Sequence, residues 1–242
     1  MKIIAYTSGK GGTGQSCLAA YTGAALAQAG ERVLLIEMGA AVRSVDLILR
    51  LPETTLFHVW DLLAGDCDFA RSWVKAPDYD RLSVIPGSPL PEKQAVTGAE
   101  FARLRAMIPD RFDYVLLDGV DFGVFPAAAP DMIVQVVTPD SLCVRACAAH
   151  TTRLLADGAR AEALRLIINQ VPPQVAPMKG AEDFDDIIDM VRARLLGVIP
   201  ASPKLHYVAN QGELLPEDSL MPRIFAAIAA RLQGKDVPLL VR

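Results

Sequence analysis

The chain has 242 residues, of which 52% are hydrophobic and 21% charged, with a formal net charge of −4. That length and apolar content suit one α/β domain with a large core, so a single domain over residues 1–242 is expected. The composition excludes a disordered chain, and the acidic balance excludes nucleic-acid binding through bulk charge. Met1-Lys2-Ile3-Ile4 runs straight into a strand and no stretch reaches about 18 uninterrupted apolar residues, so a cytoplasmic protein without leader or membrane span is expected.

In chain order, apolar runs bounded by turn residues predict strands at Ile3 to Thr7, Val33 to Glu37, Leu82 to Ile85, Tyr114 to Asp118, Met132 to Thr138, Leu166 to Val171 and Leu196 to Ile199. They alternate with helical stretches near 15–29, 99–108, 141–157, 184–195 and 217–233, while the proline-rich segment 172–181 reads as a loop. Continuous apolar strands separated by helices predict an α/β fold: a mainly parallel sheet covered on both faces.

Between the first strand and first helix lies Ser8-Gly9-Lys10-Gly11-Gly12-Thr13-Gly14-Gln15-Ser16. The phosphate-binding pattern G-x-x-x-x-G-K-[ST] works because backbone N–H groups wrap phosphates, the lysine neutralises them and the hydroxyl holds Mg²⁺. Gly9, Gly14 and Ser16 fit that spacing, but Gln15 puts a neutral amide where the ammonium belongs. A strand, a glycine turn and a helix N-terminus make an anion site from unpaired N–H groups and the helix dipole. The bland alternative is a tight strand-to-helix turn with no ligand. Removing a charge about 4 Å from a phosphate forfeits on the order of 4 kcal/mol at an effective dielectric near 20.

The run Lys10-Gly11-Gly12-x-Gly14 resembles the deviant phosphate loop of the MinD/ParA family. Further segments follow in family order: Val33-Leu34-Leu35-Ile36 and Arg43-Ser44-Val45-Asp46-Leu47, then Pro86-Gly87-Ser88 and Lys93-Gln94-Ala95-Val96-Thr97. Phe112 to Asp118 resembles the Walker B strand, and Val137-Thr138-Pro139, Ile167-Ile168-Asn169, Leu196 to Pro200 and Ala209 to Glu213 extend the likeness over nearly the whole chain. The resemblance, strongest to the MinD branch, implies a three-layer P-loop NTPase fold and ATP or ADP with Mg²⁺ as ligands. It implies a nucleotide set of Gly9, Lys10, Gly11, Gly12, Thr13, Gly14, Gln15, Ser16, Cys17, Asn169 and Pro200, with Asn169 at the position that reads adenine. Ser16 would ligate Mg²⁺ and Asp118 would hold a metal-bound water. Lys10 would stabilise charge from across a homodimer, although a solvated loop lysine is an equal alternative, and Glu37 is a weaker candidate for the catalytic acid.

The departures fall where nucleotide chemistry would occur. Where the family carries Asp-x-Asp after the second strand, this chain has Glu37-Met38-Gly39, and where it carries Ser/Thr/Cys-Pro-Ala/Pro-Gly after the Walker B acid, this chain has Gly119-Val120-Asp121-Phe122-Gly123. Gln170 also replaces the arginine that usually follows the asparagine. In phosphoryl transfer the protein supplies mainly positioning and charge stabilisation, so these changes imply weak or absent hydrolysis. Two functional classes follow from the resemblance: a nucleotide-binding spatial regulator that recruits a protein partner in cell division or placement of surface machinery, and a nucleotide-independent scaffold. A metallocluster-maturation role is disfavoured because Cys17, Cys67, Cys143 and Cys147 show no C-x-x-C spacing. Cys143 and Cys147, four apart on a predicted helix, read either as inter-subunit cluster ligands or as small buried side chains. His58, His150 and His206 are scattered singly and read as ordinary surface or core residues.

MinD proteins end in a basic amphipathic helix, which needs an apolar face and several cations. The segment Gly234-Lys235-Asp236-Val237-Pro238-Leu239-Leu240-Val241-Arg242 has a proline and room for little more than one turn, so membrane association is expected to be weak or indirect. In sedimentation with anionic liposomes the protein should stay in the supernatant with or without nucleotide. Pelleting without nucleotide would contradict this expectation.

Overall fold

The structure, a computed structural model, describes residues 1–39, 43–52, 57–88, 96–172 and 183–240. The elements run β1 (Lys2–Thr7), α1 (Gln15–Gln28), β2 (Val33–Glu37), α2 (Ser44–Ile48), α3 (Val59–Ala64), α4 (Phe69–Ser72), β3 (Val74–Lys75), β4 (Leu82–Ile85), α5 (Gly98–Met107), β5 (Tyr114–Asp118), β6 (Met132–Val137), α6 (Ser141–Ala156), β7 (Leu164–Val171), α7 (Phe184–Val191), β8 (Arg194–Pro200), α8 (Pro203–Gln211) and α9 (Leu220–Leu232). One eight-stranded sheet has the order β3-β4-β2-β5-β1-β6-β7-β8. Every pairing is parallel except β3 with β4.

Successive side chains of a strand point to opposite faces, and here both faces are covered. Ile3 and Ala5 join a core layer with α3, α5 and α6, while Ile4 and Tyr6 join the opposite layer with α1 and α9. The strands therefore read as unbroken apolar runs. Helix α1 is buried along residues 18–27 and shows no amphipathic stripe, as befits a helix packed on all sides. Its close approach to the sheet is at Gly23, where a Cβ would lie 3.2 Å from Leu116 Cδ1. Tyr21 meets Phe225 of α9 at 5.3 Å between ring centroids.

The expected strands and the five expected helices are present, with shifts at their ends. The helix expected over 184–195 stops at Val191, because Arg192 turns into the left-handed region at φ 54° and Arg194 already begins β8. The helix expected from 217 begins at Leu220, and β7 starts two residues before Leu166. Helices α2, α3, α4 and α8 and the short β3 were not anticipated. Lys93, Gln94 and Ala95 and all but Pro172 of the proline-rich segment lie outside the described residues. Among the described residues no helix is long and apolar enough to cross a membrane.

After α9, residues 235–240 form no helix and are held by Arg231. Its Nη1 donates to Leu196 O at 2.7 Å, its Nε and Nη2 donate to Val237 O, and Leu240 packs on the α1/α9 layer. Replacing Arg231 by Met should cost about 1–3 kcal/mol by leaving part-buried carbonyls unpaired. Urea denaturation should show that loss, and limited proteolysis should cleave faster around residues 235–240. An unchanged midpoint with unchanged cleavage would contradict this role.

Candidate functional site

The turn from β1 into α1 sits at the carboxyl edge of the sheet, with β5 on one side of β1 and β6 on the other. That edge is where open α/β sheets bind ligands. Ser8 Oγ donates to Val136 O, and Gly9 passes so close to α6 that a Cβ would lie 2.5 Å from the Ala146 carbonyl carbon. Gly12 and Gly14 take φ of 81° and 87°, which L side chains rarely adopt, and Gly14 is the N-cap of α1 with no side-chain cap. The helix thus presents its N-terminus to the loop with its first N–H groups free of a side-chain partner.

Asn169, at the end of β7, holds the loop from behind. Its Nδ2 donates to Thr13 O at 2.7 Å, and a Cβ at Gly14 would fall 2.6 Å from that nitrogen. Gln170, in the left-handed region at φ 58°, reaches Gly12 O at 3.5 Å. In front of the loop opens a cleft of about 1040 Å³, lined by residues 10–17, by Arg43, Ser44, Leu47 and Ile48 of the α2 segment, by Asn169 and Gln170, and by Pro200 and α8. The cleft brings together every expected nucleotide-binding residue except Gly9, which lies behind it. Thr13 Oγ1, buried in the loop, has no hydrogen-bond partner among the described residues.

Glu37 and Asp118 do not line the cleft. They end the adjacent strands β2 and β5 in register, and their exposures of 2% and 1% place them under its floor. Glu37 Oε1 accepts from Ser44 N and Oγ and its Oε2 accepts from Gly87 N, so its carboxylate ties α2 and the end of β4 to β2. This differs from the expectation of a catalytic acid, because both oxygens are occupied by groups that shape the edge. Gly39 and Gly119 cross closely, a Cβ on Gly119 falling 2.8 Å from Gly39 N, and no acidic side chain stands at 39.

Asp118 is held by three donors: Gln15 Nε2 on its Oδ1 at 2.8 Å, the Ser16 hydroxyl and the Gly119 amide. Burial nonetheless pushes its carboxyl above the ordinary carboxylate range, and Glu37 is raised as well, by burial first and by Asp118 in addition. Lys10 lies on the other flank, where its Nζ is 3.5 Å from Asp140 Oδ1 with both side chains about half exposed. Asp140 also caps α6 through Cys143 N at 2.9 Å and accepts from the Thr138 hydroxyl, which together with Lys10 hold its carboxyl below the ordinary range.

The cysteines pack as small side chains. Cys143 and Cys147 are fully buried, Cys147 Sγ faces Gln135 Oε1 at 3.4 Å, and no group of metal-ligating side chains is found among the described residues. Burial pushes the Cys17 thiol up to about 12, so it lines the cleft as a neutral group. His58 caps α3 in a box with Asp61, and His150 Nε2 lies 3.1 Å from Thr7 Oγ1. Sequence reasoning missed Arg43 and the α8 wall. Ser202 as N-cap, Pro203 at the first turn and Gly212 past the end were readable helix signals for the latter.

Fold and loop together define a phosphate-loop α/β protein. The model of the CobQ/CobB/MinD/ParA nucleotide binding domain matches residues 4–215. The chain belongs to this family. The septum site-determining protein MinD of Synechocystis sp. is 32% identical to it over 246 residues, covering 99% of this chain and 92% of that one, and the Bacillus subtilis MinD is 29% identical over 247 residues with the same coverages. Among solved structures, the Aquifex aeolicus MinC:MinD cell division complex aligns with a TM-score of 0.84 at 28% identity, covering 99% of both chains. MinD from Pyrococcus horikoshii, solved with Mg-ADP, shares the fold with a TM-score of 0.78 at 20% identity, covering 96% of this chain and 95% of that one.

The neutral amide under the loop has a consequence for stability. A carboxyl with a raised folded-state pKa contributes stability that is full below its unfolded pKa and is lost as pH rises through the folded one. Gln15→Lys sets an ammonium against Asp118, so the variant should gain stability over the wild type at pH 7. The gain should shrink as pH falls into the carboxylate range. Gln15→Met removes a donor from a buried carboxylate and should cost about 1–3 kcal/mol. Denaturation midpoints between pH 4 and about 8 check both, and a gain for Gln15→Lys that does not depend on pH would contradict the electrostatic account.

Proposed function

We propose that this protein is a MinD-like spatial regulator that binds ATP or ADP and hydrolyses ATP weakly or not at all. The observation that carries the reading is the Gln15 amide turned onto Asp118, inside a family loop whose phosphate-facing backbone is intact. The cleft volume, the N-terminus of α1 and the buried, unpartnered Thr13 hydroxyl suit a phosphorylated nucleotide. Pro200 and the α8 residues Leu205 and Ala209 supply an apolar wall for a base.

A hydroxyl and a carboxylate already in contact, Ser16 and Asp118, are also the donor set that Mg²⁺ prefers. Ser16 would hold the metal directly and Asp118 through a water, and the metal would neutralise phosphate charge. The chain's own groups do less than those of relatives. Gln15 can donate a hydrogen bond but brings no charge, and with Gly39 no side chain orients an attacking water. Charge stabilisation and positioning are the main protein contributions to phosphoryl transfer, so both are reduced here.

Relatives named septum site-determining proteins and the MinC:MinD assembly support a protein partner of the cell-division type. A homodimer with the phosphate loops facing fits the exposed position of Lys10, whose ion pair with Asp140 is loose enough to exchange for a partner's phosphate. A nucleotide-independent scaffold is the second reading. It is favoured by the same Gln15 to Asp118 bond, which satisfies the buried acid without any ligand.

Phosphate release from ATP with Mg²⁺ should be no faster than a protein-free control. Calorimetric titration should show one nucleotide per chain, and Gln15→Lys should tighten binding at least tenfold without restoring turnover. Turnover in the wild type that Lys10→Ala abolishes would overturn the reading, and the absence of binding would select the scaffold.

A further inference from the structure

Besides Lys10, one full positive charge lines the cleft among the described residues, and it comes from outside the loop: Arg43, at the N-cap of α2. We propose that Arg43, on the segment before α2, supplies phosphate-neutralising charge to this site, where Gln15 brings none. The proposal rests on the nucleotide-binding reading above and names how that site holds its ligand's charge.

Three observations support it. Arg43 is paired at the near end, its buried Nε 2.8 Å from Asp46 Oδ2 in an ion pair that is not aligned as a hydrogen bond, while the side chain remains 25% exposed. No hydrogen bond from its terminal amino groups is found among the described residues. The guanidinium is thus held by an i,i+3 pair on a residue that lines the cleft, and its terminal donors are free of protein partners among the described residues. The next residue, Ser44, is anchored through its N–H and hydroxyl to Glu37 Oε1, and Glu37 is in register with Asp118, which in turn holds Gln15 and Ser16. These hydrogen bonds, joined by the pairing of β2 with β5, tie the Arg43 segment to the phosphate loop. Finally, the charge is missing on that side alone: Lys10 stands on the α6 flank beside Asp140, whereas Arg43 stands on the α2 flank.

The chemistry differs from that of the usual lysine. A guanidinium is a planar fork that matches two oxygens of one or two phosphates, whereas an ammonium acts as a point charge. A fork entering from α2 suits a diphosphate or triphosphate chain and has little to offer a nucleoside without phosphates. Asp46 competes for the same guanidinium, but a single carboxylate held at Nε leaves the terminal amino groups for a more highly charged phosphate.

The test is calorimetric titration of ATP, ADP and adenosine, each with Mg²⁺, into wild type, Gln15→Lys, Arg43→Gln, Arg43→Lys and the double variant Arg43→Gln with Gln15→Lys, with circular dichroism as the check on folding. Arg43→Gln should weaken ATP and ADP at least tenfold and leave any adenosine binding unchanged. Arg43→Lys should recover part of the loss. Gln15→Lys should tighten ATP and ADP more in the Arg43→Gln background than in the wild type, because a charge restored at position 15 replaces the one removed at 43, whereas a purely structural role of Arg43 gives the same gain in both backgrounds. Wild-type binding with Arg43→Gln equally tight would overturn this proposal alone, as would the same gain from Gln15→Lys in both backgrounds. No binding by the wild type would sink the nucleotide reading and this proposal together. Should Arg43→Gln fail to fold, equal affinities for Arg43→Lys and the wild type combined with the same gain from Gln15→Lys in both would overturn it, and a loss in Arg43→Lys with a larger gain from Gln15→Lys there than in the wild type would support it.

Discussion

The hydrogen bond from Gln15 to Asp118 joins the two features on which the rest of the site depends. Asp118 ends a central strand with its side chain buried under the phosphate loop, and a buried carboxylate must have donors or a counter-charge. Gln15, Ser16 and the Gly119 amide supply the donors, but none brings charge. Glu37, one strand away, meets the same difficulty and solves it with the Gly87 and Ser44 amides. Two acids thus lie under one glycine loop with no cation bonded to either among the described residues. This arrangement keeps the edge ordered without a ligand and is poor at stabilising the charge that develops in phosphoryl transfer.

Around that centre the fold leaves little freedom. Helix α1 is packed on all sides, so its N-terminus cannot shift toward or away from a ligand independently of the sheet. Gly9 abuts the α6 backbone, and Asn169 grips Thr13 O from β7. The loop is therefore preorganised by neighbours on both sides, and what varies across the cleft is which side chains bring charge. Lys10 and Arg43 occupy opposite flanks, Lys10 in a half-exposed ion pair that water weakens and Arg43 in a more buried one.

Much of this was legible in the sequence because parallel strands buried on both faces leave an unmistakable signal. Val33–Glu37, Leu82–Ile85 and Tyr114–Asp118 are bounded in the structure as the apolar runs are bounded in the chain. The phosphate loop was readable from its glycine spacing, and Gly12 and Gly14 do take the positive φ that such a turn needs. The short elements left no periodicity to detect: α2 and α4 are each about one turn, and α3 is capped by His58, which is not among the usual capping residues. Glu37 read as a candidate acid because sequence records residue type and position, whereas its engagement with Ser44 and Gly87 depends on how three strand ends converge. Arg43 was visible only as part of a segment that falls in family order, and its place on the cleft follows from α2 packing beside the loop.

The claim at the centre of this account is that Asp118 is held by neutral donors in a buried setting that disfavours its charge. A carbon-13 titration of the Asp118 side-chain carboxyl by NMR measures this directly. The account predicts a midpoint above the ordinary carboxylate range in the wild type, falling when Gln15 is replaced by Lys. A wild-type midpoint at or below the ordinary range, unmoved by that replacement, would contradict it.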